Sequence, residues 1–263
     1  MMHPNIQSIF DLSGKTAIVT GCAAEGIGEI LAEGLAEAGA DIVGVDIRPV
    51  ESARKRVEAI GRRFLGLQMD LSQLDRLPDV IEQAVQAFGK VDILVNAAGI
   101  DIPCSVEGDW DTYYKLLDLN QHAVIELSSL VFQQMVKQGS GGKILNFSSV
   151  MAYISSETSL PYTVSKNAVI GATLNMGVAG MPYGISVNAI APGYVRTKLT
   201  QKTIIENGFY ERSIKVIPAH RPSEPEELKG ATIFYCSSAS DYITATVLKY
   251  DAGMISNADT YFD

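Results

Sequence analysis

Disulfide and metal chemistry have little to work with in this sequence. Its three cysteines, Cys22, Cys104 and Cys236, are odd in number and far apart. No disulfide framework or paired metal motif is readable, and the expected compartment is the reducing cytosol, a cytoplasmic location. The three histidines, His3, His122 and His220, have no ligand spacing with a cysteine or carboxylate, so no metal is expected. Basic charge is also scarce. Lys and Arg total 21 against 30 Asp and Glu, a net charge of -9, with no basic cluster and no aromatic-plus-basic stripe, which argues against nucleic acid and anionic membrane surfaces as partners. The uncharged interval from Asn167 to Val195 is interrupted by Pro182, Gly184 and Asn188. It reads as a buried helix followed by a strand and not as a membrane span. The start, Met1-Met2-His3-Pro4-Asn5, lacks the charged-then-apolar layout of a signal peptide. With no internal repeat or low-complexity linker, the 263 residues suit one large α/β domain over 1–263.

What is present alternates. Thr16–Thr20 is a short apolar strand pattern, and Gly21 opens a small-residue loop running to Gly26-Ile27-Gly28. Ile30, Leu31, Leu35 and Ala38 recur at helical spacing before Gly39, and Ile42–Asp46 is the next strand. Strand, glycine loop, helix, strand and acid make a dinucleotide-binding unit. Glycines let backbone amides approach a pyrophosphate at the positive end of the helix, and Asp46 stands where a carboxylate accepts hydrogen bonds from adenosine ribose hydroxyls. The alternation continues through Phe64–Asp70, a helix at 78–88, a strand at 91–96, a long helical region over about 110–137 carrying Asn120, a strand at 143–147, a helix from Tyr162 onward, a strand at 185–191, a helix near 225–237 and a last strand at 247–250. The expected fold is a Rossmann-type doubly wound α/β domain, about seven parallel strands with helices on both faces.

The chemistry gathers at Tyr162-Thr163-Val164-Ser165-Lys166. A phenol and an ammonium four residues apart share one helix face, and the lysine's charge can favour the phenolate and ready it for proton exchange. With 11 tyrosines in the chain such a pair is weak evidence alone, and Tyr194 with Lys198 makes a second. Context separates them, since Tyr194 follows the turn signal Pro192-Gly193 whereas Tyr162 opens a helix-length run. Ser149 lies just past the strand 143–147, so a hydroxyl and the tyrosine meet at the carboxyl edge of the sheet.

These motifs, with Asp70-Leu71, Asn96-Ala97-Ala98-Gly99, Asn120, and Pro192-Gly193 with Thr197, resemble the short-chain dehydrogenase/reductase family along the whole chain. The resemblance implies Tyr162 as general acid/base, Ser149 steadying the substrate oxygen, Lys166 on the nicotinamide ribose, and Asn120 supporting a proton relay through water. It also implies Asp70 and Leu71 flanking adenine, Asn96, Gly99 and Pro192 lining the cofactor site with Gly21, Gly26, Ile27, Gly28 and Asp46, and Val195 and Thr197 holding the carboxamide. A homotetramer follows from the same likeness. So does a substrate lid at about 194–222. Segments 35–44, 61–65 and 188–194 resemble the branch containing 2-dehydro-3-deoxy-D-gluconate and 2-deoxy-D-gluconate dehydrogenases.

The chain departs from the family pattern in places. Cys22-Ala23-Ala24-Glu25 puts four residues between the first two loop glycines where three are usual, Ala97 stands where a second asparagine is common, Ala245 and Ala252 replace frequent glycines, and Ala179 replaces a common glutamate. None removes a proton-transfer group. Three readings stay open: an NAD-dependent alcohol or sugar-acid dehydrogenase, a 3-oxoacyl-carrier-protein reductase, and a non-catalytic binding protein on the same fold. Asp46 disfavours the second, because a 2′-phosphate would bring negative charge towards it, although Arg48 is a counterweight. The intact Asn120, Ser149, Tyr162 and Lys166 disfavour the third. Between Arg196 and Arg221 six basic residues face two acids, Glu206 and Glu211. A positive lid in a negative protein draws an anion, so the expected substrate is a small hydroxy or keto sugar acid, with Arg212 or Arg221 as a carboxylate clamp.

Overall fold

The computed structural model describes residues 3–197 and 214–257. Among these, β1 (Thr16–Thr20), β2 (Asp41–Asp46), β3 (Phe64–Gln68), β4 (Ile93–Asn96), β5 (Gly142–Phe147), β6 (Ile185–Pro192) and β7 (Val247–Tyr250) form one sheet in the order β3-β2-β1-β4-β5-β6-β7. Every neighbouring pair is parallel. The helices are α1 (Pro4–Ile9), α2 (Ile27–Glu37), α3 (Glu51–Ala59), α4 (Leu77–Phe88), α5 (Trp110–Leu117), α6 (Val124–Gln138), α7 (Leu160–Gly180) and α8 (Leu228–Cys236).

Side chains alternate across the pleat, so the inner strands feed two cores. Ala17, Ile42, Ile93, Val95 and Leu145 pack with Leu31 and Leu35 of α2, Val57 of α3 and Leu228 of α8. Ile18, Val43, Leu94 and Ile144 pack on the other face with Leu77 and Val80 of α4 and Leu127 and Val131 of α6. Burial on both faces explains the near-continuous apolar strands. No helix among the described residues is long and apolar enough to cross a membrane.

Two elements depart from the sequence pattern. The region 110–137 is not one helix: α5 and α6 are separated by a π-helical turn, Asp118–Ala123. Helix α3 has only Ala53 and Val57 buried in a highly charged segment, too little apolar periodicity to announce it.

The chain leaves β1 towards β2 and β3, then returns to place β4 on the other side of β1. That reversal opens a crevice at the carboxyl ends of β1 and β4, where ligands of such sheets bind. Thr20, at the end of β1, fixes the crevice wall by accepting the N–H groups of Ala97 and Ala98, each at 3.0 Å.

Candidate active site

A cleft of about 730 Å³ fills this crevice, lined among others by Gly21, Gly26, Asp46, Asp70, Gly99 and Thr197. Gly21 has φ +76°, and a Cβ there would stand 3.0 Å from the Ala98 backbone. At Gly28 a Cβ would collide with the Gly21 carbonyl, so the bare glycine lets α2 begin directly against the end of β1. The extra loop residue is absorbed by Glu25, which adopts φ 72° and donates its N–H inward to Glu29 Oε2 at 2.8 Å. Ala23 N–H goes to Asp46 Oδ2 at 2.9 Å and Gly26 N–H to the Ala23 carbonyl at 3.2 Å. The amides left to meet a phosphate are those of Ala24 and the first turn of α2.

At the far end, Asp46 is buried and also accepts Arg48 N–H at 2.9 Å, while Arg48 Nε stands 3.6 Å from the same oxygen. Asp70 and Leu71 line the cleft, and Asp70 Oδ1 is held by the Ser72 N–H and hydroxyl at 3.0 and 2.7 Å. Asn96 does not line it. Its carboxamide turns into the core and donates to Ser128 Oγ and Asn146 Oδ1, each at 2.9 Å, and Asn146 in turn donates to Thr173 Oγ1 on α7 at 2.9 Å. Asn96 therefore supports the cleft floor from beneath, because an odd step in the pleat puts it on the opposite face from Val95. Val195 packs in the core and bridges to Ser223, Pro192 ends β6, and Thr197 reaches the cleft.

The proton-transfer groups stand beyond Gly99. A Cβ on that glycine would lie 3.3 Å from Asn120 Oδ1 and 3.6 Å from Lys166 Nζ. Asn120, fully buried in the π turn, clamps Ile100 from both sides, accepting its N–H at 2.9 Å and donating to its carbonyl at 2.7 Å. Ser149 caps the turn after β5, its hydroxyl accepting Met151 N–H at 3.1 Å. Lys166 donates to the Phe147 carbonyl at 2.9 Å, and Ser148 donates to the Lys166 carbonyl at 2.8 Å, which pins α7 to the end of β5.

Lys166 Nζ lies 5.5 Å from the centroid of the Tyr162 ring. The ammonium alone does not bring the phenol towards neutrality: burial pushes Tyr162 up to about 12, with hydrogen bonding to Ser149 opposing and the charge of Asp101 reinforcing. The same burial pushes Lys166 down to about 8, against the pull of Asp101. Loss of hydration thus outweighs the attraction expected from the four-residue spacing.

The basic segment is less positive than its own window suggests, because acids follow directly. Arg196 pairs with Glu224 at 2.9 Å. Arg221 meets Glu227 with both nitrogens at 2.7 Å, which raises the guanidinium's pKa and holds the Glu227 carboxyl down at about 2. Arg221 is thus committed to Glu227 on a separate cleft of about 280 Å³ with Tyr194 and Lys249. Arg212, and residues 198–213 of the expected lid, lie outside the described residues.

Comparison with known proteins is consistent along the chain. A family model described as enoyl-(acyl carrier protein) reductase matches residues 21–255. Over 254 residues the chain is 41% identical to the 2-dehydro-3-deoxy-D-gluconate 5-dehydrogenase of Dickeya dadantii (strain 3937), covering 95% of this chain and 99% of the relative. The Escherichia coli (strain K12) protein of the same name is 39% identical over 254 residues, with 95% and 99% covered. A solved gluconate 5-dehydrogenase from Burkholderia cenocepacia J2315, in complex with NADP and tartrate, superposes with a TM-score of 0.90 at 34% identity, covering 96% of this chain and all (100%) of the other.

Proposed function

Because the chain belongs to the short-chain dehydrogenase/reductase family, we propose that it transfers a hydride between NAD(H) and a secondary alcohol or ketone carbon of a small sugar acid. The observation that carries the chemical part is the convergence of Ser149, Tyr162 and Lys166 just behind Gly99, at the inner end of the cleft. The sugar-acid part is supported by what the relatives are named for. Tartrate, held by the solved relative, is itself a small hydroxy acid.

The residues fit a nicotinamide dinucleotide. Gly26 and Ile27 bring the start of α2 to the cleft, where a pyrophosphate would sit, with Asp46 and Leu71 around the adenosine end and Gly99 and Thr197 towards the nicotinamide. When bound, the cofactor supplies the hydride acceptor or donor. Ser149 would hold the substrate oxygen, and Tyr162 would take the hydroxyl proton in oxidation and return it in reduction. Lys166, bonded to the Phe147 carbonyl, would grip ribose hydroxyls and stabilise a phenolate once one forms. Both polar ends of the Asn120 side chain are spent on Ile100, so a water relay would use its main-chain carbonyl.

The preference for NAD(H) rests on Asp46, whose buried carboxylate a 2′-phosphate would face, while Arg48 balances only part of that charge. The test is a panel of sugar acids, polyols and an oxoacyl thioester, each with NAD(H) and NADP(H). Sugar-acid turnover with at least about tenfold higher kcat/KM for NAD(H), a difference of about 1.4 kcal/mol, is expected. Comparable efficiency with NADP(H) overturns the cofactor choice, and better turnover of the thioester overturns the substrate class. Tyr162→Phe should lower kcat by about 10²–10⁴-fold or more while cofactor binding persists.

A further inference from the structure

Asp101 stands beside the proton-transfer groups on a segment fastened at both ends. On one side Asn120 clamps Ile100. On the other, Cys104 is bridged to the strand-like lead into α7: its N–H donates to the Thr158 carbonyl at 2.7 Å, and its carbonyl accepts Leu160 N–H at 3.1 Å. Asp101, Ile102 and Pro103 therefore cross from the cleft wall to the start of the helix that carries Tyr162, with Pro103 narrowing the backbone further. The Asp101 carboxylate is exposed and makes no hydrogen bond or ion pair among the described residues. Its charge nevertheless reaches both Tyr162 and Lys166. Enough protein surrounds it for lost hydration to raise its own pKa, with Lys166 opposing.

An anion carried on a fastened segment at the mouth of a site has two consequences for a ligand. It rewards a hydroxyl donor, since a hydrogen bond to a charged acceptor is stronger than a neutral one, and it repels a second carboxylate. We infer that Asp101 is a specificity-determining residue, accepting a hydrogen bond from the substrate hydroxyl next to the reacting carbon and turning the substrate's own carboxylate away from the 100–104 side of the site. This rests on the sugar-acid reading above. It also orients the substrate, with the polyhydroxy end against Asp101 and the acid end opposite.

The test compares wild type, Asp101→Asn and Asp101→Ala on 2-dehydro-3-deoxy-D-gluconate and on its analogue lacking the C4 hydroxyl, with NADH binding followed by fluorescence as a check on folding. Wild type should favour the hydroxylated compound by about 10–100-fold in kcat/KM, the range of a hydrogen bond to a charged group. In Asp101→Ala that ratio should collapse to a few-fold, mainly through KM for the hydroxylated compound. Asp101→Asn should recover part of it, because an amide carbonyl still accepts. A wild-type ratio near one overturns the inference. So does a pH–rate midpoint that moves to lower pH in both variants while the ratio stays, which would reduce Asp101 to an electrostatic neighbour of Tyr162. If wild type turns over no sugar acid, the proposed function fails instead, and 2-hydroxycyclohexanone against cyclohexanone decides the role of Asp101 by the same ratio.

Discussion

At the scale of single residues, the feature with the widest consequence is an amine that is hard to charge. Lys166 is 5% exposed, and burial takes its pKa from 10.5 to about 8. The unfolded chain binds this proton up to about pH 10.5, whereas the folded chain releases it from about pH 8, so between those values unfolding takes up a proton and stability rises with pH. Below pH 8 the full penalty is present, about 3 kcal/mol for a drop of this size. Lys166→Met has no such dependence. Urea unfolding of the ligand-free proteins should show the difference between wild type and variant moving about 3 kcal/mol in the wild type's favour from pH 7 to pH 10.5, whatever the offset left by the lost bond to Phe147. A gap that does not move with pH would mean that the amine is solvated. Tyr162 acts in the opposite sense. Its pKa, raised to about 12, favours the folded state below pH 10 and gives that stability up as pH climbs from 10 to 12, so the rise due to Lys166 should turn over in that range.

Among the elements, the π turn Asp118–Ala123 is what aims Asn120 at Ile100. Asn120→Ala removes both bonds, freeing the 99–101 wall behind which Lys166 stands. Such a displacement from catalytic geometry should cost about 10²-fold in kcat/KM, and hydrogen exchange of the Ile100 amide should quicken; unchanged exchange would show that the clamp is redundant. The turn also marks where sequence reading stopped. The inner strands β1, β2, β4 and β6 are legible because both-face burial writes them as apolar runs, α2 because one face repeats at helical spacing, and α7 because an uncharged run of helix length follows Tyr162. A π turn keeps the same residue types as the helix around it and leaves no such trace. The likeness implies Asn96 on the cofactor site, whereas its carboxamide bonds within the core, because family motifs give order along the chain and not the side of the pleat. Thr20 and Asn146 went unnoticed, since a hydroxyl or amide inside a strand signals nothing until its partner across the sheet is known. Asp101 was likewise unreadable, one acid in a loop. The pairing of Arg196 and Arg221 is not legible within the basic window for a simpler reason: their partners Glu224 and Glu227 lie just beyond its end at Arg221.

For the whole molecule, the outer side of α7 asks for a neighbour. Its inner face buries Val169, Thr173 and Gly177, yet Val164, Leu174 and Val178 stay exposed at 36%, 43% and 72% on a helix without a charged residue on that side. A second copy of this chain is the proposed cover, and a homotetramer the proposed assembly. Light scattering at micromolar concentration should give a mass well above 28.3 kDa, shifted towards smaller species by Val178→Lys; a wild-type monomer would refute the assembly. A different consequence lies in how the two ends of the chain meet. Helix α2, which opens the cleft, is covered by α8: Leu228 packs on Leu31 and Leu35, Lys229 bonds to Glu33 at 2.9 Å and Glu37 at 3.0 Å, and Gly34 is bare so that the Lys229 stem can lie on it. The second helix to be synthesised is therefore among the last to be sheltered. A chain emerging from the ribosome must carry Glu33 and Glu37 without their lysine, and Leu31 and Leu35 without Leu228, for some two hundred residues, roughly ten to forty seconds of elongation, so a product cut short before residue 228 should be cleaved by proteases faster than the full chain.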